Sequence, residues 1–180
     1  GEYFGTPYFA KVNPSTGDSH FIELDRGGGI PYLGGALVHA NGYIYVVSQS
    51  HLYKVEPESM VIVASSDLPT PVSGTIYNGI LTSSTGELIL NFIGATSEGL
   101  QIFLIDPDTL EITFATDDAP VATARLAVEV NDNGEEHLYH LDTYQTFRFL
   151  IEPGALTLDT EWITPYDPYQ TGGENVEPTS

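Results

Sequence analysis

Cysteine is absent from the 180-residue sequence, and basic side chains are scarce. Two lysines (Lys11, Lys54) and three arginines (Arg26, Arg125, Arg148) stand against 25 aspartates and glutamates. Without cysteine there is no disulfide, no thiolate metal site, no cysteine nucleophile and no haem held through Cys-x-x-Cys-His. The formal net charge of −20 repels phosphate backbones and anionic lipid, which argues against nucleic-acid partners and electrostatic membrane docking. No apolar run approaches the roughly 18 residues of a spanning helix, and no stretch carries useful 3.6-residue periodicity. A Gly-x-Ser-x-Gly elbow, a phosphate loop and a His-Glu-x-x-His pair are also missing, and Gly27-Gly28-Gly29 lacks the strand-to-helix setting of a nucleotide loop.

What is present is rich in β-forming residues. Hydrophobic residues make up 41% and aromatics 11%, which marks a chain that folds around a core rather than a disordered one. The acids are scattered rather than blocked, as on a surface solvated in saline or extracellular surroundings. Together with the lack of cysteine and of a leader pattern at Gly1, this leads us to expect an exported protein, extracellular or periplasmic, whose signal has been removed.

One pattern recurs four times: an aliphatic-rich run, an acid or Asn, Pro, then a second β-rich run. The copies are Phe9-Ala10-Lys11-Val12-Asn13-Pro14, Leu52-Tyr53-Lys54-Val55-Glu56-Pro57, Ile102-Phe103-Leu104-Ile105-Asp106-Pro107 and Phe147-Arg148-Phe149-Leu150-Ile151-Glu152-Pro153. Their prolines lie 43, 50 and 46 residues apart, the period of a propeller blade at about 40 to 50 residues. The acid or Asn accepts nearby backbone N–H groups while Pro presets φ, so each copy is a hairpin corner. Strands are predicted after the corners at 20–24, 61–65, 110–115 and 156–163. Before the last three corners lie further strand pairs: 35–40 with 43–48 across Asn41-Gly42, 76–82 with 87–92, and 125–130 with 136–141.

The predicted fold is therefore an all-β propeller of about three and a half four-stranded blades, spanning residues 1–165. A half blade at 8–25 supplies only the outer strands c and d, and blades follow at 34–66, 75–116 and 124–163. Residues 166–180, rich in Pro, Gly and acids, are expected to form a flexible tail. Three and a half blades cannot close a ring, so both ends leave strand edges open. The expectation is a seven-bladed ring completed by another chain, such as the other half of one precursor, or by sequence beyond this chain.

The phrases Gly42-Tyr43-Ile44-Tyr45-Val46, Leu52-Tyr53-Lys54-Val55-Glu56-Pro57 and Val12-Asn13-Pro14-Ser15-Thr16-Gly17-Asp18 resemble the repeats of quinoprotein-like (PQQ, YVTN and NHL-type) secreted propellers. The resemblance covers residues 8 to about 165 and implies the fold. The family's outer-strand Trp has at most one counterpart, Trp162, and the cofactor stays open. Such propellers include dehydrogenases, lyases, lactonases and binding modules, and the site is expected on the rim where the d-to-a and b-to-c loops meet.

On that rim the sequence offers His140, Asp142 and His51 as candidate catalytic groups, an imidazole oriented by a carboxylate being apparatus for general-base work. Arg26 and Arg125 are candidate carboxylate or phosphate binders, with Tyr32 and Tyr144 as further ligand contacts. Each also has a plain reading as a strand or surface residue. Asn131-Asp132-Asn133-Gly134-Glu135-Glu136 lacks the spacing of a calcium loop and reads as a hairpin; no metal is expected. Two functions remain: a binding or assembly module that pairs with a second polypeptide and presents a ligand-binding rim, or one subunit of a processed propeller enzyme, an oxidoreductase, lyase or hydrolase, with its site at the channel mouth.

Overall fold

A computed structural model describes residues 8–24, 33–48, 51–69, 76–93, 102–116, 125–141 and 146–162. These residues form strands and turns, with no helix among them. Strands β1 (Tyr8–Val12) and β2 (Ser19–Glu23) make a two-stranded sheet. Blade 1 is β3 (Leu33–Val38), β4 (Ile44–Ser48), β5 (His51–Glu56) and β6 (Val61–Asp67). Blade 2 is β7 (Ile76–Thr82), β8 (Leu88–Ile93), β9 (Ile102–Ile105) and β10 (Ile112–Thr116). Blade 3 is β11 (Arg125–Val130), β12 (Glu136–Leu141), β13 (Thr146–Glu152) and β14 (Ala155–Leu158). Every pairing is antiparallel between sequence neighbours, so each four-stranded sheet is an a-b-c-d meander. The all-β, four-stranded blade architecture expected from the repeat is the one found, and the described strands do not close a ring.

The corners explain the regularity. At the a-to-b turns Gly42, Gly86 and Gly134 have φ of 89°, 91° and 81°, a left-handed conformation in which glycine carries no Cβ penalty. At three c-to-d corners the residue three places after Pro is left-handed: Gly17, Met60 and Leu110, with φ of 79°, 55° and 61°. Each donates its N–H back to the acid or Asn before Pro, at 2.8, 2.9 and 2.9 Å. Met60 and Leu110 are buried, so their packing offsets the backbone strain. This is why Leu110, expected in a strand, lies outside β10. The last predicted strand also stops early, at Leu158. Asp159 Oδ1 accepts the N–H groups of Glu161 and Trp162, which closes a turn where 156–163 was expected to run straight.

Alternate residues of each strand enter different inter-blade layers. In β9, Phe103 and Ile105 join Leu88, Leu90, Tyr45, Val47 and Leu52 between blades 1 and 2. Ile102 and Leu104 join Ile89, Leu138, Phe149 and Ile151 between blades 2 and 3. The half blade packs the same way, Phe9 and Ile22 lying against Val46, Tyr53 and Val55. Fully buried on both faces, the inner strands read as continuous apolar runs without alternation.

The ends differ from the middle. Position two before Pro is Val55, Ile105 or Ile151 in the blades, exposed by 0%, 0% and 7%, yet Val12 in the half blade is 59% exposed. Tyr8 and Phe21, on the same face as Val12 by pairing register, are also exposed. At the other end the outward face of blade 3 carries His137, Tyr139 and Arg148 where blades 1 and 2 carry Tyr45, Val47, Leu52 and Ile89, Asn91, Ile102. Trp162 lies over that face, edge-on to Tyr139 at 5.7 Å and 5.5 Å from the Arg148 guanidinium. Arg148 donates to Asp159 through Nε at 2.9 Å and also through Nη2.

Candidate functional site

The rim where the b-to-c and d-to-a connections meet holds His51. It opens β5, and its N–H is 3.2 Å from Ser48 Oγ, which accepts it. The ring stacks on Tyr53 with centroids 5.7 Å apart, and Nε2 lies 3.1 Å from Asp67 Oδ1. The pairing register explains the contact, since His51 and Asp67 are direct cross-strand neighbours on β5 and β6. The His51 side chain is 22% exposed and that of Asp67 93%, so the pair faces solvent. An imidazole held by a carboxylate can shuttle a proton, and sequence reasoning, which paired histidine with Asp142, did not single out Asp67.

His140 stands elsewhere. It is 1% exposed, shares the β12 face of Leu138, and its ring tilts against Phe147 at 6.3 Å. It is thus buried on the face turned to blade 2, paired with Phe147, which holds the repeat position that His51 holds in blade 1. Blade 2 separates it from His51. Arg125 opens β11, where its backbone pairs with Leu141. Arg26, Tyr32, Asp142 and Tyr144 lie outside the described residues. Among the described residues no group of three or more His, Asp or Glu side chains is placed to hold a metal.

The opposite rim, formed by a-to-b and c-to-d turns, carries the denser polar chemistry. Lys11 donates to the Pro57 carbonyl at 2.8 Å and lies 3.7 Å from Glu58. Lys54, at the same repeat position, donates to the Pro107 carbonyl at 3.0 Å and to Asp108 at 3.2 Å. Tyr45 donates to that same carbonyl at 2.6 Å, and the Lys54 ammonium sits 4.5 Å from the Tyr43 ring centroid. Burial pulls the Lys54 ammonium down, but Asp108 and Tyr45 outweigh it and hold the group above the usual lysine value. Next along, the Ser84 N–H and hydroxyl donate to Glu136 at 2.7 and 2.6 Å. The Gly154 N–H donates to Glu87 at 3.2 Å. His39 accepts the Asn41 N–H at Nδ1, 3.1 Å away, which leaves its Nε2 to donate to the Gly86 carbonyl at 2.8 Å. Each blade thus grips a turn of the next. The signal was visible as Lys at the third place before Pro in the first two repeats; Leu104 and Leu150 hold that place in the others.

No protein-family model and no curated protein matches the sequence. Among solved structures, this chain resembles virginiamycin B lyase from Staphylococcus aureus, a propeller, at 12% identity, with a TM-score of 0.56 over 84% of this chain and 47% of that one. It also resembles a Bacteroides caccae protein of unknown function at 13% identity, with a TM-score of 0.51 over 83% of this chain and 52% of that one. A more distant likeness, 10% identical with a TM-score of 0.47 over 78% of this chain and 19% of that one, is to an extracellular domain from B. thetaiotaomicron. The chain spans about half the length of the first two. At these identities the likeness concerns fold: the chain is part of a β-propeller.

Proposed function

We propose that this propeller segment is a binding and assembly module of an exported protein, which pairs with a second polypeptide that completes the ring and then presents a ligand-binding rim. The observation that carries the reading is the contrast between Val12, 59% exposed, and its buried counterparts Val55, Ile105 and Ile151. An aliphatic residue left in water at a position that is elsewhere core marks a surface built to be covered. Export is supported by the cysteine-free composition and the charge of −20.

The test is the intact native mass of the particle isolated from its source. A second, different polypeptide bound to the 19.5 kDa chain is the expected result. A stable particle of this chain alone overturns the reading.

A second reading, one subunit of a processed propeller enzyme, rests on the solvent-facing His51–Asp67 pair at 3.1 Å. In that reading His51 is the proton-transfer group, and Arg125 and the residues at 26, 32, 142 and 144 belong to the channel mouth. His51→Ala in the completed particle would then abolish turnover with folding unchanged, while unchanged turnover removes the enzyme reading as drawn.

A further inference from the structure

We infer that Asn133-Gly134 is a modification site, where the main chain rearranges without a catalyst to aspartate and isoaspartate and so loosens the tie between blades 2 and 3. Asn41-Gly42, the same dipeptide at the same place in blade 1, is protected by Tyr45. Neither depends on how the ring is completed.

The carboxamide carbon of an asparagine is open to attack by the main-chain nitrogen of the next residue once that nitrogen has given up its proton. The new Cγ–N bond closes a succinimide ring, and the Cγ–Nδ2 bond breaks to release ammonia. Water then opens the ring. Scission of the new N–Cγ bond leaves aspartate on an intact main chain, while scission of the original N–C bond leaves isoaspartate, whose backbone runs through the side chain and is longer by a methylene. Glycine, with no Cβ, hinders the attack least.

The two dipeptides share one turn geometry. Gly42 and Gly134 have φ of 89° and 81°, and a Cβ added to either would meet nothing within 4 Å. Their N–H groups donate to the His39 and Asn131 carbonyls at 3.0 and 2.9 Å. Both asparagines are exposed, so neither backbone nor solvent separates them. Their carboxamides do. Asn41 Nδ2 donates to the Tyr45 hydroxyl at 2.8 Å, and Asn41 Oδ1 accepts the Tyr43 N–H at 3.2 Å. Tyr45 is buried, and its hydroxyl is fixed in turn on the Pro107 carbonyl. Asn41 must therefore break from both partners to turn its Cγ onto the Gly42 nitrogen. In the turn of blade 3 the tethers fall on Asn131 instead. Its Oδ1 accepts the Asn133 and Glu135 N–H groups at 2.9 and 3.0 Å, and its Nδ2 donates to Glu135 at 2.8 Å. Among the described residues the Asn133 carboxamide has no hydrogen-bond partner. Glu136 follows this turn directly, opens β12 and holds the Ser84 N–H and hydroxyl. A longer main chain at 133 shifts the start of β12, and Glu136 with it, while a new carboxylate joins Asp132 and Glu135.

The test incubates the purified 180-residue chain in mildly alkaline buffer below its melting transition. Peptide mass spectrometry follows the exchange of NH2 for OH at both sites, and electron-transfer fragmentation tells isoaspartate from aspartate. Asn133 is expected to be lost about tenfold faster than Asn41, the factor that about 1.4 kcal/mol of net hydrogen bonding supplies. In the urea-unfolded chain the two rates are expected to converge. Tyr45→Phe, which keeps the ring and removes the hydroxyl, is expected to speed loss at Asn41 and not at Asn133; the wild-type rates decide if that variant does not fold. Exchange of the Ser84 N–H is expected to quicken in the isoaspartate fraction and to stay slow in Asn133→Asp, whose backbone is normal. Equal rates in the folded chain, or faster loss at Asn41, overturn the inference. A gap that persists unchanged in urea assigns it to the sequence neighbours and overturns the protection by Tyr45, as does a folded Tyr45→Phe with Asn41 unaltered. Unchanged Ser84 exchange in the isoaspartate fraction overturns the loosening of the tie between blades.

Discussion

Truncating one repeat position in all its copies measures how each inter-blade layer is covered. The residue two before Pro is Val12, Val55, Ile105 and Ile151. Val→Ala removes two carbons, worth about 1.6 kcal/mol at ~0.8 kcal/mol per buried methylene, and the cavity left behind adds to this. Val55→Ala, at a site that is 0% exposed, is therefore expected to cost about 2–3 kcal/mol. Ile105→Ala, also at 0% exposure, is expected to cost about 2–5 kcal/mol, and Ile151→Ala slightly less. Val12→Ala, at 59% exposure, is expected to cost about 0.5 kcal/mol or less. Urea unfolding read by tyrosine fluorescence and by circular dichroism gives the differences. Blades unfold as neighbours in a row, so agreement of the two probes checks that one transition is being compared. A Val12→Ala cost equal to that of Val55→Ala would refute the reasoning, because the half-blade face would then be covered from within the chain.

Lys54→Met keeps the apolar stem but strips the donors from the Pro107 carbonyl and Asp108. With only 9% of the side chain exposed, a loss of about 1–3 kcal/mol in the same urea assay is expected. Glu136→Ala leaves the Ser84 N–H and hydroxyl without their carboxylate and is expected to cost about 1–3 kcal/mol, with Glu136→Gln recovering part of it. The Ser59 hydroxyl and N–H hold Glu56 below its ordinary 4.5, the Thr109 and Asp108 N–H groups hold Asp106 below 3.8, and Arg148 holds Asp159 below 3.8. The unfolded chain takes up these protons more readily, so the contribution is complete above about pH 5 and is lost as pH falls through the folded values. The urea midpoint, measured in salt high enough to screen the net charge, is expected to decline below about pH 4.5. At neutral pH, raising salt from about 10 mM to about 150 mM is expected to raise the melting temperature, since screening relieves the repulsion of −20 charges.

Strands and corners were legible because their causes are local. Asx-Pro and Asn-Gly geometry acts over a few residues, and β7, β11 and β12 occupy the ranges read from the sequence. Leu110 escaped because a left-handed leucine is set by its burial between blades, not by its neighbours in sequence. The end of β14 escaped because Asp159 closes a turn and grips Arg148 across the sheet. The latches of Lys11, Lys54 and Glu136 span 46 to 54 residues, and only the recurrence of Lys before Pro hinted at them. The candidate site was less legible still. Rim histidines look alike in sequence, and packing from neighbouring blades separates them, leaving the His51 side chain 22% exposed beside Asp67 and His140 1% exposed.

Amide hydrogen exchange on the purified 180-residue chain tests the open half blade most directly. The account predicts rapid exchange for the Tyr8–Val12 amides not bonded to β2, and slow exchange along both edges of β5 and β9. Slow exchange of every β1 amide in the isolated chain would contradict it.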